Sequence, residues 1–242
     1  MAPGSCISDY VVSSYTPTIT TLLNKLKRSL TTKQNPISML LISQPSTPGQ
    51  IRIPGAREES HAIQNKMKAA AVRSLLLEDA SAISVQVKTE MNSHSWVHFA
   101  CHAIQDIKEP LKSGVQLHDN RLELLEMMKQ KLPNADFAFL SACQTSTGDE
   151  KLSEEAVHLA AGMLAAGYQS VVATMWSIKD EYGPVVAKDF YAYIVDGNVE
   201  NRQLDSANAA HALHYAIQNI RKKVGDTEEA LLTWVPYVHF GI

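Results

Sequence analysis

Two stretches of the chain decide its architecture, WVHFACH at Trp96–His102 and DFAFLSAC at Asp136–Cys143. Each is a nearly continuous apolar run rather than an alternating one, a pattern that suits a strand covered on both faces, as in a parallel sheet. ISMLLIS at Ile37–Ser43, bounded by Pro36 and Pro45, reads the same way, and so does SVVATMW at Ser170–Trp176. Helical signals lie between these runs. In LSEEAVHLAAGMLAAG (Leu152–Gly167), Ser153 is the expected N-cap, Glu154 and Glu155 fall in the positive first turn, and Gly167 is the stop. Residues 16–30, 57–77, 121–131, 182–195 and 206–223 are also expected to be helical. A short strand is expected at ISVQV (Ile83–Val87), and extended chain at DYVVSSY (Asp9–Tyr15) and at the terminal WVPYVHFGI. Strands alternating with helices predict an α/β fold, a three-layer sandwich with a mostly parallel central sheet.

A chain of 242 residues with 45% apolar content can bury a core without disulfides or a structural metal. Its three cysteines are an odd, sparse set that reads as free thiols in a reducing compartment, and a cytoplasmic location is expected. The net charge of −3 gives no electrostatic case for nucleic acid or an anionic membrane as partner. No run of 18 apolar residues and no secretory leader pattern occurs in the sequence.

In an open parallel sheet the chemistry lies beyond the carboxyl ends of the strands, so reactive side chains that end a buried run are the first candidates. Two qualify. His102 ends WVHFACH, and Cys143 ends DFAFLSAC one crossover unit later. A thiol attacks as the thiolate, and an imidazole beside it can take the proton and return it to a leaving amine. Backbone N–H groups at Ala103 and Cys143 are candidate donors to the oxyanion. The same residue types also occur as a buried free thiol and a structural histidine, and spacing alone leaves both readings open.

The wider pattern narrows the choice. In SACQT, Ala142, Cys143 and Gln144 fit the caspase-type signature around a catalytic cysteine, while Ser141 and Thr145 depart from it. VHFACH, LSACQTSTGD, SEEAVHLAAGMLAAGYQSVVATMWSIKD and WVPYVHFG occur in an order that resembles the CHAT family of caspase-like proteins, in the clan that also holds separases. The resemblance runs from about Ser13 to the end of the chain. It implies the caspase-hemoglobinase fold, His102 and Cys143 as the catalytic pair, a protein or peptide substrate, and an upstream activating or repeat-domain protein as partner. It also implies that Trp176, Ser177 and Asp180 line the pocket for the substrate side chain before the cleaved bond. There Asp180 would select a basic residue; a helix-cap or loop hydrogen bond is the alternative for it. Asp149 and Glu150 are weaker candidates of the same kind. Two departures stand out: Ala103 follows the histidine where the family usually has glycine, and the single domain over residues 1–242 is expected to lack the opening part of the family domain.

Other residues resist functional promotion. His98 shares strand parity with His102 but sits about 13 Å along the strand, too far for one metal ion, and reads as a core histidine. His211 and His214 are expected at a solvated or interface position, and Cys101 in the core. Neither a metal nor a cofactor is expected, since G-x-G-x-x-G, G-x-x-x-x-G-K-[ST] and G-x-S-x-G are all missing from the sequence.

Overall fold

The structure is a computed structural model that describes residues 6–16, 18, 19, 23, 36–104, 106, 108–144, 156–197 and 204–241; the side chains of 142–144 and 156–158 lie outside that description. The helix expected over 16–30 falls almost wholly outside the described residues, as do Ser153, Asp149 and Glu150.

The apolar runs form strands where the sequence places them. β1 (Ser38–Ser43), β3 (Trp96–Ile104), β6 (Phe137–Gln144) and β7 (Ser170–Thr174) join β2 (Arg73–Glu78) and β8 (Tyr237–Gly241) in the order β2-β1-β3-β6-β7-β8. All neighbours in this row are parallel except β8, which runs antiparallel to β7. A hairpin of β4 (Gly114–Gln116) and β5 (Arg121–Glu123) extends the sheet by pairing antiparallel with the end of β3.

Helices α1 (Gly55–Ala69), α5 (Gly183–Asp196) and α6 (Ala209–Val224) cover one face, over a core that includes Met39, Leu41, Trp96, Phe137, Phe139, Phe190 and Ile220. On the other face, α2 (Ser84–Ser93), α3 (Leu124–Lys129) and α4 (Ala156–Ala166) enclose Leu40, Val97, Phe99, Cys101, Leu140 and Met163. Odd and even positions of one strand thus feed different cores, as the two-residue side-chain period requires. Cys101 is fully buried in the second core, as expected. Helix α7 (Glu228–Trp234), N-capped by Thr227, precedes β8.

Four local expectations need correction. ISVQV does not form a strand: Ser84–Ser93 is helical, with Val87 and Met91 buried one turn apart and the first N–H received by Asp119 Oδ1 at 2.9 Å. The helix expected over 57–77 stops at Ala69, where Ala71 takes a left-handed conformation (φ 57°), and the chain turns into β2. Of the helix expected over 121–131, the first three residues belong to β5. Asp9–Tyr15 is not a strand either; a 3₁₀ turn at Ile7–Asp9 leads to a single bridge between Tyr15 and Phe240.

Candidate active site

Strands β3 and β6 put His102 and Cys143 side by side. The two are Cα partners in adjacent parallel strands, about 5 Å apart by strand spacing, at the carboxyl edge of the sheet. His102 shares the row of Trp96, His98 and Ala100 on β3, which turns toward α1 and α5.

The imidazole of His102 is 1% exposed, and its Nε2 lies 2.7 Å from the carbonyl oxygen of Ile51. A carbonyl can only accept, so Nε2 carries the proton and the lone pair of the neutral ring is on Nδ1. Nδ1 is buried and has no hydrogen-bond partner among the described residues. The loop that presents Ile51 leaves β1 at the point where the chain next turns away to β2, the topological switch point of the sheet. It is pinned at its base: Gln44 N–H donates to Ala100 O (2.9 Å), Gln44 Nε2 to Asp79 O (2.8 Å), and Ile53 N–H to Pro45 O (3.0 Å).

Ala103, the expected oxyanion donor beside Cys143, is flanked on both edges, by Gln144 of β6 and Val115 of β4. Asp180 is half-buried at the other side of the site. Its Oδ2 accepts the Gly55 N–H at 2.8 Å, which caps the first residue of α1. A Cβ on Gly55 would run into Asp180, so this close approach requires glycine. Trp176 is half-buried with Nε1 donating to Leu232 O at 3.4 Å, and Ser177 is exposed. Lys179 ties the same loop to α7 through Glu229 at 2.6 Å. The structure therefore brings His102 and Cys143 together, and sets Trp176, Ser177 and Asp180 on the loop that leads from β7 into α5.

Sequence reasoning missed a polar group beneath the pair. Glu59 of α1 is 3% exposed and accepts from Ser141 Oγ at 3.0 Å. Its Oε1 lies 3.0 Å from His98 Nε2, close but not aligned as a hydrogen bond. His98 Nδ1 is 3.2 Å from Tyr191 Oη. Burial, with the charge of Glu59 adding to it, pushes the Tyr191 phenol well above its ordinary range, so it keeps its proton and donates to Nδ1. The available signal was an acid on the apolar stripe of α1, among Ala56, Ile63 and Met67. No residue pattern could announce the Ile51 carbonyl. His98 is a core histidine, as its strand position suggested, and His211 is exposed on α6.

The CHAT domain family model matches residues 4–242. The chain belongs to the CHAT domain family. No curated relative matches the sequence significantly. Among solved structures, this CHAT domain is similar to the Arg specific cysteine proteinase gingipain R, with a TM-score of 0.57 at 13% identity. The match covers 91% of this chain and 51% of that one, so the CHAT chain spans about half the length of the gingipain. The complex of Porphyromonas gingivalis RgpB pro- and mature domains matches at a TM-score of 0.55 and 12% identity, over 90% of this chain and 51% of that one. The three-layer sandwich is thus the caspase-hemoglobinase fold. No helix among the described residues is long and apolar enough to cross a membrane.

Proposed function

We propose that this CHAT domain is a cysteine endopeptidase acting on protein or peptide substrates in the cytoplasm. The observation that carries the reading is the His102 imidazole: Nε2 is tied to a backbone carbonyl, and Nδ1 is left with its lone pair, on the residue that is the ladder partner of Cys143. In this reading Nδ1 takes the thiol proton and Ile51 O is the third, orienting group, in the role that an acid plays in other triads. The thiolate adds to the scissile carbonyl carbon. Backbone N–H groups at Cys143 and Ala103 receive the oxyanion, and the imidazolium returns its proton to the departing amine. Water then hydrolyses the thioester with His102 acting again as base.

The N-termini of α1 and α5 lie at the same sheet edge and favour the anionic thiolate. Trp176, Ser177 and Asp180 line the pocket for the residue before the cleaved bond. The similar gingipain R is an Arg specific cysteine proteinase, which supports selection of a basic side chain by Asp180.

A second reading, a latent or silent module acting through protein contacts, is favoured by Ala103. Its flanking by two strands leaves an oxyanion donor there only if the ladder loosens. Cleavage of a diverse peptide library by wild type, Cys143→Ala and His102→Ala separates the two. Turnover lost in both variants supports the peptidase. An inactive wild type whose Cys143 reacts with iodoacetamide no faster than Cys6 and Cys101 supports the module.

A further inference from the structure

The Glu59 cluster joins four elements with polar atoms in an apolar setting, with the His98 ring 4.9 Å from that of Phe139. Glu59 comes from α1, His98 from β3, Ser141 from β6 and Tyr191 from α5. A fifth contact is steric: a Cβ on Gly183, the first residue of α5, would lie 2.9 Å from Glu59 Oε2 and 3.4 Å from Ser141 Oγ. Glu59 thus reaches the start of α5, while Asp180, three residues before that start, reaches the start of α1. Burying a carboxylate and an imidazole is costly, and apolar residues of the same volume would serve stability as well or better. In some proteins buried ionic groups of this kind fix register and geometry.

Their position says which geometry. Ser141 is two residues before Cys143 on β6, one pleat repeat or about 7 Å away, and His98 is four residues before His102 on the same row of β3. We infer that Glu59 is a positioning residue for the Cys143–His102 pair, an inference that rests on the peptidase reading. By accepting the Ser141 hydroxyl while its other oxygen lies 3.0 Å from His98 Nε2, it sets the relative height of β3 and β6, and by packing against Gly183 it seats the loop Trp176–Asp180 over the same site. It touches no reacting atom.

Glu59→Ala would leave Ser141 Oγ without its acceptor and His98 Nε2 facing a void, and is a poor test. Glu59→Gln keeps the volume and an acceptor for one neighbour, but its amide sets a donor against either Ser141 or His98. The triple variant Glu59→Leu, His98→Phe, Ser141→Ala replaces the cluster with apolar packing and keeps the variant set informative should the single one fold poorly. For each folded variant, iodoacetamide labelling of Cys143 is measured across pH beside thermal melting, and kcat and KM are measured on the best library peptide. The expected result is a melting temperature within a few degrees of wild type, Cys143 labelling slowed about tenfold, and kcat reduced about 10- to 100-fold with KM nearly unchanged. Wild type with fast-labelling Cys143 and variants that label and turn over equally fast would overturn the inference while the peptidase reading stands. A wild-type Cys143 no faster than Cys6 and Cys101 would overturn both.

Discussion

Asp180 gives the sharpest test of how the site edge is built. Helix α1 follows Pro54, a residue with no side-chain acceptor to offer its first turn, and the acceptor comes instead from Asp180, whose Oδ2 is 2.8 Å from Gly55 N. Replacing a capping acid by alanine costs about 0.5–2 kcal/mol, and a negative charge at a helix N-terminus adds about 0.3–1 kcal/mol. Asp180→Ala should therefore destabilise the fold by about 1–2 kcal/mol. Asp180→Asn keeps an acceptor and gives up only the charge, so about 0.5 kcal/mol is expected. For a domain of this size 1 kcal/mol is worth roughly 2–4 °C, which predicts melting temperatures lower by about 3–6 °C for alanine and about 1–2 °C for asparagine. Circular dichroism melts resolve that difference, and guanidinium titration checks it. Equal losses in the two variants, or none in either, would refute the capping argument. The same variants examine the pocket: if Asp180 also selects a basic residue, both lose preference for lysine or arginine in the peptide library, although only alanine is markedly destabilised.

Gly162 of α4 has no room for a methyl group, because a Cβ there would overlap Leu124 Cδ1. Gly162→Ala should lose about 1–3 kcal/mol in guanidinium denaturation, and Leu124→Ala in the same chain should recover part of it, a coupling that independent sites would not show. Phe190 is fully buried with its ring 5.4 Å from that of Phe137 and 5.2 Å from that of Phe139. Phe190→Ala should cost about 3–5 kcal/mol; a loss below 1 kcal/mol would mean that α5 does not pack there. Hydrogen bonds from Arg221 hold the Asp226 carboxyl below its ordinary value of 3.8. A lowered carboxyl favours the folded state fully above the unfolded value and loses that effect as pH falls through the folded one, so its contribution is present at neutral pH and is lost only in acid. In Arg221→Met the Asp226 carboxyl carbon should titrate at higher pH by NMR, and an unmoved midpoint would count against the pair.

The parallel sheet was legible because β1, β3, β6 and β7 are short apolar runs, and only burial on both faces accounts for such runs. The ends of those runs also pointed to His102 and Cys143, and the register makes the two partners. What the residues could not announce was decided at a distance. The end of α1 lies at a left-handed Ala71 where the usual signal is glycine, so from sequence β2 reads as more helix. Ile83–Val87 alternates like a strand for five residues, but Asp119 from a later hairpin caps Ser84, and Val87 packs one helix turn from Met91 while Val85 faces solvent. Glu59 reads as one more polar residue on an amphipathic helix until the fold turns it inward beside His98 and Ser141.

These distant contacts share one logic. The loop after β1 supplies Ile51 O to His102, and the helix that follows supplies Glu59 to β3 and β6. The loop after β7 supplies Asp180 back to the start of that helix. Two crossover units far apart in sequence are thus joined by polar contacts that start at the carboxyl edge and run under it. Apolar packing between α1 and α5 could slide by a fraction of a residue at little cost, because dispersion is not directional. A carboxylate that accepts from a serine, lies against an imidazole and abuts a glycine at a helix start resists that slide, since the hydrogen bond is directional and the other two contacts are close. On the proposed peptidase reading, a dyad whose members arrive on separate strands depends on that relative height, and a shift of about 1 Å is enough to cost a hundredfold in rate. On that reading the site's precision rests on α1, which carries neither member of the pair.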